Sequence, residues 1–107
     1  MSSAIKVIQP SGILDGNQAG QFRQEITEAV QGGSEVIIVD LKNVTFMDSS
    51  GLGALVLSLK TVRSAGGKIF ICSINDQIKM LFELTDMDRV FEIFNNREEL
   101  EKKILGS

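Results

Sequence analysis

The chain alternates between short apolar runs and longer segments with helical spacing. Ile5, Val7 and Ile8 mark a strand over residues 4–9, which Pro10 and Ser11 interrupt. Gly12-Ile13-Leu14-Asp15 resumes it briefly. Ala19, Phe22, Ile26 and Val30 then recur at i, i+3, i+7 and i+11, the apolar stripe of an amphipathic helix. Asn17 is its expected N-cap and Gly32-Gly33 its stop. Val36-Ile37-Ile38-Val39 lies in a β-branched run over 35–41 that suits a strand covered on both faces. After Met47 a helix is expected to about Ser64, stopped by Gly66-Gly67. Residues 68–74 repeat the buried-strand pattern. Asn75 caps a helix through about Thr85 that turns Ile78, Leu81 and Phe82 inward. Residues 90–94 form a last short strand. Asn95 or Asn96 starts a charged closing helix that buries Leu100, Ile104 and, at its end, Leu105.

The predicted order is therefore β-α-β-α-β-α-β-α. Helices between strands require parallel crossovers. The fold class is α/β, with helices packed against a mixed, largely parallel sheet of four to five strands. No internal repeat and no linker divides the 107 residues, and that length supports one core. One domain over residues 1–107 is expected.

Composition narrows the chemistry. The net charge is -3 and the basic residues are scattered, which argues against a nucleic-acid surface. The single cysteine, Cys72, cannot make an internal disulfide, and its apolar neighbours mark it as a buried structural thiol. With no histidine and one cysteine, no metal site or cofactor is expected. The start, MSSAIKVIQP, lacks the apolar run of a signal peptide. No stretch approaches the ~20 apolar residues of a membrane span. The expected place is the cytoplasm, and the expected free state is a monomer.

The stretch that asks for an explanation is Phe46-Met47-Asp48-Ser49-Ser50-Gly51-Leu52-Gly53-Ala54-Leu55. A Ser-His-Asp triad is impossible without histidine, and the motif is not a G-x-S-x-G elbow. There is no G-x-x-x-x-G-K-[ST] to cradle a nucleotide phosphate. Asp15, Asp40 and Asp48 each follow or end a predicted strand and could in principle gather round Mg²⁺, but capping or solvated carboxylates explain them more simply. Asp48, Ser49 or Ser50 suits the N-cap of the following helix. At about 100° per residue, Leu52, Leu55, Val56, Leu59 and Val62 face the sheet. Ser50, Ala54, Leu57 and Thr61 lie opposite, with Gly53 on their flank. An outward leucine among small residues is a candidate docking face. A serine at such a helix start is also open to a kinase, and a phosphate there would add roughly -1.5 to -2 charge beneath any docked partner.

These residues resemble the anti-sigma factor antagonists, the single-domain STAS proteins of bacterial partner-switching systems. The carriers are Val36-Ile37-Ile38-Val39-Asp40-Leu41 followed by Phe46-Met47-Asp48-Ser49-Ser50-Gly51-Leu52-Gly53. Gly12-Ile13-Leu14-Asp15, Ala65-Gly66-Gly67 and Val90-Phe91-Glu92-Ile93-Phe94 support them, so the likeness spans nearly the whole chain. It implies a protein that is not an enzyme but binds an anti-sigma factor, itself a serine kinase of the histidine-kinase-like ATPase type. The kinase phosphorylates the antagonist, which then lets go, and a PP2C-type phosphatase reverses the mark. The phosphorylated residue would be Ser49, with Asp15 and Asp48 flanking it. Ser50 is expected to help begin the helix and touch the partner, Gly51 and Gly53 to give clearance, and Ala54 and Leu57 to lie on the docking face. Alternatives are a STAS-type regulator of another output, or a small-molecule- or nucleotide-binding STAS domain. One departure stands out: only one strand fits before Gly12, where the family has two, and Pro10 intrudes.

Overall fold

The computed structural model describes residues 5–106. Its elements are β1 (Ile5–Ile8), β2 (Ser11–Leu14), α1 (Gly16–Gln31), β3 (Val36–Asp40), β4 (Asn43–Met47), α2 (Ser49–Ser64), β5 (Lys68–Cys72), α3 (Asp76–Leu84), β6 (Ile93–Phe94) and α4 (Arg97–Leu105). A 3-10 turn over Met87–Arg89 precedes β6. Every pairing among the described residues is parallel. A four-stranded sheet runs β1-β3-β5-β6, and β2 and β4 form a separate two-stranded ribbon.

The ribbon corrects the predicted order. Two strands precede α1, and β4 stands between β3 and α2, where the sequence pattern gave no strand. Asn43-Val44-Thr45-Phe46-Met47 buries only Val44 and Met47. That spacing is neither a clean alternation nor a continuous apolar run, so no strand signal emerges. The Gly12 segment does form a strand, β2, although Pro10 separates it from β1. Its register shifts between Gly12 and Ile13, and Gly12 holds φ +77°, a conformation that glycine adopts without strain. The final strand is shorter than predicted because Val90 and Phe91 are drawn into the preceding turn, both N–H groups bonding the Met87 carbonyl. Residue 4, placed in the first strand by sequence, lies outside the described residues.

Side chains alternate across the main sheet as the β period of two requires. Ile37 and Val39 of β3 and Ile69 and Ile71 of β5 join Phe22, Ile26, Leu55, Leu59, Ile78 and Phe82 in the larger core. That core unites α1, α2 and α3 with one face of the sheet. Ile38 and Cys72 point to the other face and meet Leu100 of α4, with Phe70, Phe94 and Ile104 packed alongside. Leu105, expected to be buried, is exposed. Phe70 and Phe94 make an edge contact at 6.1 Å between ring centroids. The start of α4 is also tied down electrostatically. Asp40, buried at the end of β3, accepts hydrogen bonds from Gln9 Nε2 and the Lys42 N–H and faces Arg97 at 3.7 Å. A buried carboxylate with these partners keeps its charge satisfied.

Cys72 is buried as expected. Burial pushes its thiol pKa up, and Asp40 adds to this while a hydrogen bond with Ser73 opposes it. In the unfolded chain the thiol ionises at its ordinary, lower pKa. Above that value the unfolded state binds fewer protons, so stability falls as pH rises. Urea unfolding is expected to show a loss between roughly pH 8 and pH 10 that Cys72→Ala does not share. An identical slope in the two proteins would refute this assignment.

Candidate functional site

Strands β2 and β4 lie side by side and run parallel. Each passes directly into a helix, so α1 and α2 begin at the same edge of the ribbon. An aspartate ends each strand–helix junction. Asp15 caps α1, its Oδ1 accepting the Asn17 N–H at 3.0 Å. Asp48 caps α2, its Oδ1 accepting the Gly51 N–H at 3.0 Å. Two expectations are corrected here. Asn17 is the donor to the cap and not the cap itself. Ser50 does not cap α2 either, because it is already inside the helix and Asp48 occupies the capping position. A carboxylate is the stronger choice at this position, since it also meets the positive end of the helix dipole.

Ser49 is the first residue of α2 and is exposed. Ser50, also exposed, lies beside the start of α1, and a Cβ added at Gly16 would stand 3.7 Å from its Oγ. The two helix starts therefore share one surface, with Asp15, Asp48, Ser49 and Ser50 on it. Asp40 does not join them, being held by Gln9, Lys42 and Arg97. Among the described residues no three His, Cys, Asp or Glu side chains group as metal ligands. No helix among them is long and apolar enough to cross a membrane.

The two glycines of the motif behave differently. A Cβ on Gly51 would collide with the carbonyl oxygen of Leu14 and come within 3.0 Å of Met47 Cγ. Gly51 is buried, so its clearance serves the packing of α2 on β2 and not a partner. At Gly53 an added Cβ would meet nothing within 4 Å. Internal packing therefore does not demand that glycine. Ala54 is corrected in the same way as Gly51. It is only 3% exposed, because α1 packs along that side of α2 and covers it. Leu57 does remain outward, at 42% exposure.

Two features escaped the sequence reading. Ile13 and Phe46 are direct register partners on the ribbon and both are exposed, each two residues before a capping aspartate. Their signal is an apolar residue just ahead of each Leu/Met-Asp pair. Asn75 and Gln77 reach across from the start of α3 to β4. Polar residues at a helix start usually serve only the cap, so nothing in the pattern marks this longer reach. A groove of about 1150 Å³ lies elsewhere, near Gly66-Gly67, Arg63 and Lys68. None of the motif residues lines it.

A strand–helix junction that exposes a serine behind a capping aspartate, on a parallel α/β frame, matches a known protein class. The STAS domain family model matches residues 2–100, and the chain belongs to that family, among the anti-sigma factor antagonists. The Anti-sigma F factor antagonist of Paenibacillus polymyxa is 31% identical over 93 residues, covering 86% of this chain and 80% of that protein. The Anti-sigma-B factor antagonist of Staphylococcus aureus is 32% identical over 91 residues, covering 85% and 84%. Solved structures agree on the fold. The anti-sigma factor antagonist SpoIIAA in its unphosphorylated form superposes with a TM-score of 0.82 at 22% identity, covering all of this chain and 94% of that one. A Thermotoga maritima crystal structure gives 0.84 at 26% identity, covering 91% and 84%. The four helices against a largely parallel sheet are the STAS arrangement.

Proposed function

We propose that this chain is a phosphorylation-controlled binding module whose unmodified form captures an anti-sigma factor and so frees a sigma factor. The observation that carries the reading is the exposed Ser49 at the first position of α2, beside Asp48 and the start of α1. The names of the Paenibacillus and Staphylococcus relatives support the choice of partner. In this reading the partner is also an ATP-dependent serine kinase, and a phosphatase restores the unmodified state. The chain supplies no catalytic group of its own and acts as one domain in the cytoplasm.

The geometry gives the switch a physical basis. A phosphate on Ser49 adds roughly -1.5 to -2 charge at a helix N-terminus, where the dipole and free amides tolerate it within the monomer. A partner docked across Ser49, Gly53 and Leu57 meets that dianion beside Asp48 and Asp15 in a desolvated interface. Each ~1.4 kcal/mol lost there lowers affinity tenfold. Modification therefore releases the partner without unfolding the chain. Ser50 contributes as a neighbour of α1 and the partner, not as the modified residue.

Incubation with the cognate kinase and ATP, followed by peptide mass spectrometry, is expected to place one phosphate on Ser49. Phosphate on Ser50, or none, would overturn the assignment.

A further inference from the structure

The helix start that presents Ser49 is held on one side by β2, where the Asp48 N–H reaches the Leu14 carbonyl at 3.4 Å. Among the described residues, the other edge of β4 has no neighbouring strand. Gln77 takes that place. Its Oε1 accepts the Met47 N–H at 2.9 Å, and its Nε2 donates to the Met47 carbonyl at 2.8 Å. The orientation of the amide follows from its partners, since an N–H only donates and a carbonyl only accepts. Asn75 extends the same seam, its Nδ2 donating to the carbonyls of Thr45 at 3.1 Å and Val44 at 3.3 Å. Its Oδ1 accepts the Ile78 N–H, so one side chain both caps α3 and ties it to β4.

We infer that Gln77 is a positioning residue for phosphoryl transfer to Ser49, acting as a one-residue substitute for a missing strand. The inference rests on the reading that Ser49 is phosphorylated. Met47 is followed directly by Asp48, whose carboxylate caps α2, and then by Ser49. Both polar backbone groups of Met47 are engaged by one side chain, which fixes the strand end in two directions. Without it, that N–H and C=O must find water or stay unpaired in a half-buried place. The junction then samples more conformations, and the serine hydroxyl spends less time in line with the transferring phosphoryl group. Small displacements of a reacting atom are costly in rate even where binding is unchanged. Gln77 itself is half-buried behind β4, so the partner need not touch it.

The test uses the full chain and, as probe, the anti-sigma F factor of Paenibacillus polymyxa with ATP, with that organism's own antagonist as positive control. Gln77→Leu keeps much of the side-chain volume and removes both bonds. Its expected rate of Ser49 phosphorylation is roughly tenfold lower, carried by kcat, with affinity for the probe within about twofold of the unaltered chain. Amide shifts of Met47, Asp48 and Ser49 in the free variant are expected to move, while those of α4 stay. A side chain that merely supports the fold lowers Tm but leaves kcat unchanged well below it. Unchanged kcat in Gln77→Leu, with the unaltered chain phosphorylated normally, would overturn the inference and leave the proposed function standing. An unaltered chain that is never phosphorylated, beside a working control, would overturn both. If Gln77→Leu fails to fold, Gln77→Glu keeps the acceptor for the Met47 N–H and turns a charged oxygen, in place of the donor, toward the Met47 carbonyl, and an unchanged kcat there is equally fatal.

Discussion

Ser49→Asp is expected to weaken binding to the anti-sigma factor by roughly a hundredfold, while Ser49→Ala stays within about threefold of the unaltered chain. A carboxylate in the first turn of α2 is compatible with the helix dipole, worth about 0.3–1 kcal/mol in its favour. The variant therefore folds at least as well as the parent. The same charge is buried when a partner covers the helix start, next to Asp48 and near Asp15. Like charges in a desolvated contact oppose docking. Alanine removes only a hydroxyl that the fold does not use. Titration calorimetry with thermal unfolding in parallel is the measurement. Equal affinity for the two variants would rule out an electrostatic switch at this residue.

Gly51→Ala is expected to destabilise the chain by about 1–3 kcal/mol, lowering Tm by roughly 10 °C. The new methyl would stand on the Leu14 carbonyl oxygen, which is backbone and cannot swing aside. That carbonyl also accepts the Asp48 N–H, so moving β2 away strains the same junction. Gly53→Ala makes the contrast. The methyl meets nothing within 4 Å, and replacing an interior helical glycine gains up to ~1 kcal/mol of helix stability. The expected result is a Tm raised by a few degrees and, if the proposed docking face includes Gly53, a partner affinity reduced. If Gly53→Ala binds as well as the parent, Gly53 has no part in the interface. If Gly51→Ala is as stable as the parent, the close approach of α2 to β2 is wrong.

Much of this molecule is readable along the chain. The stripe from Phe22 to Ile26 and the runs at 36–39 and 69–71 identify a helix and two covered strands, because burial on both faces leaves no alternative to β-branched and aliphatic residues. Asn75 and Asn96 are caps as expected, accepting the N–H groups of Ile78 and Glu99. Leu57 is exposed as the helical wheel predicts, and Ser49 as its place at the helix start predicts. Ala54 and Gly51 are different, since a wheel carries no record of α1 lying along α2, nor of the Leu14 carbonyl that closes on Gly51. A short ribbon strand such as β4 is equally hard to see, because it buries only two residues and the other three face solvent.

The sequence by itself determined an α/β chain, a helix beginning within Asp48-Ser49-Ser50, and a serine there with no histidine to activate it. These follow from local propensity, periodicity and the absence of histidine, all of which are properties of neighbouring residues. Tertiary structure alone decided that Asp15 and Asp48 cap two helices at one edge, and that Gly51 belongs to the core while Gly53 faces outward. It also decided that Gln77, 30 residues from Met47, closes the free edge of the strand leading to Ser49. Such relations depend on which backbones come to lie side by side, and spacing along the chain carries no measure of that.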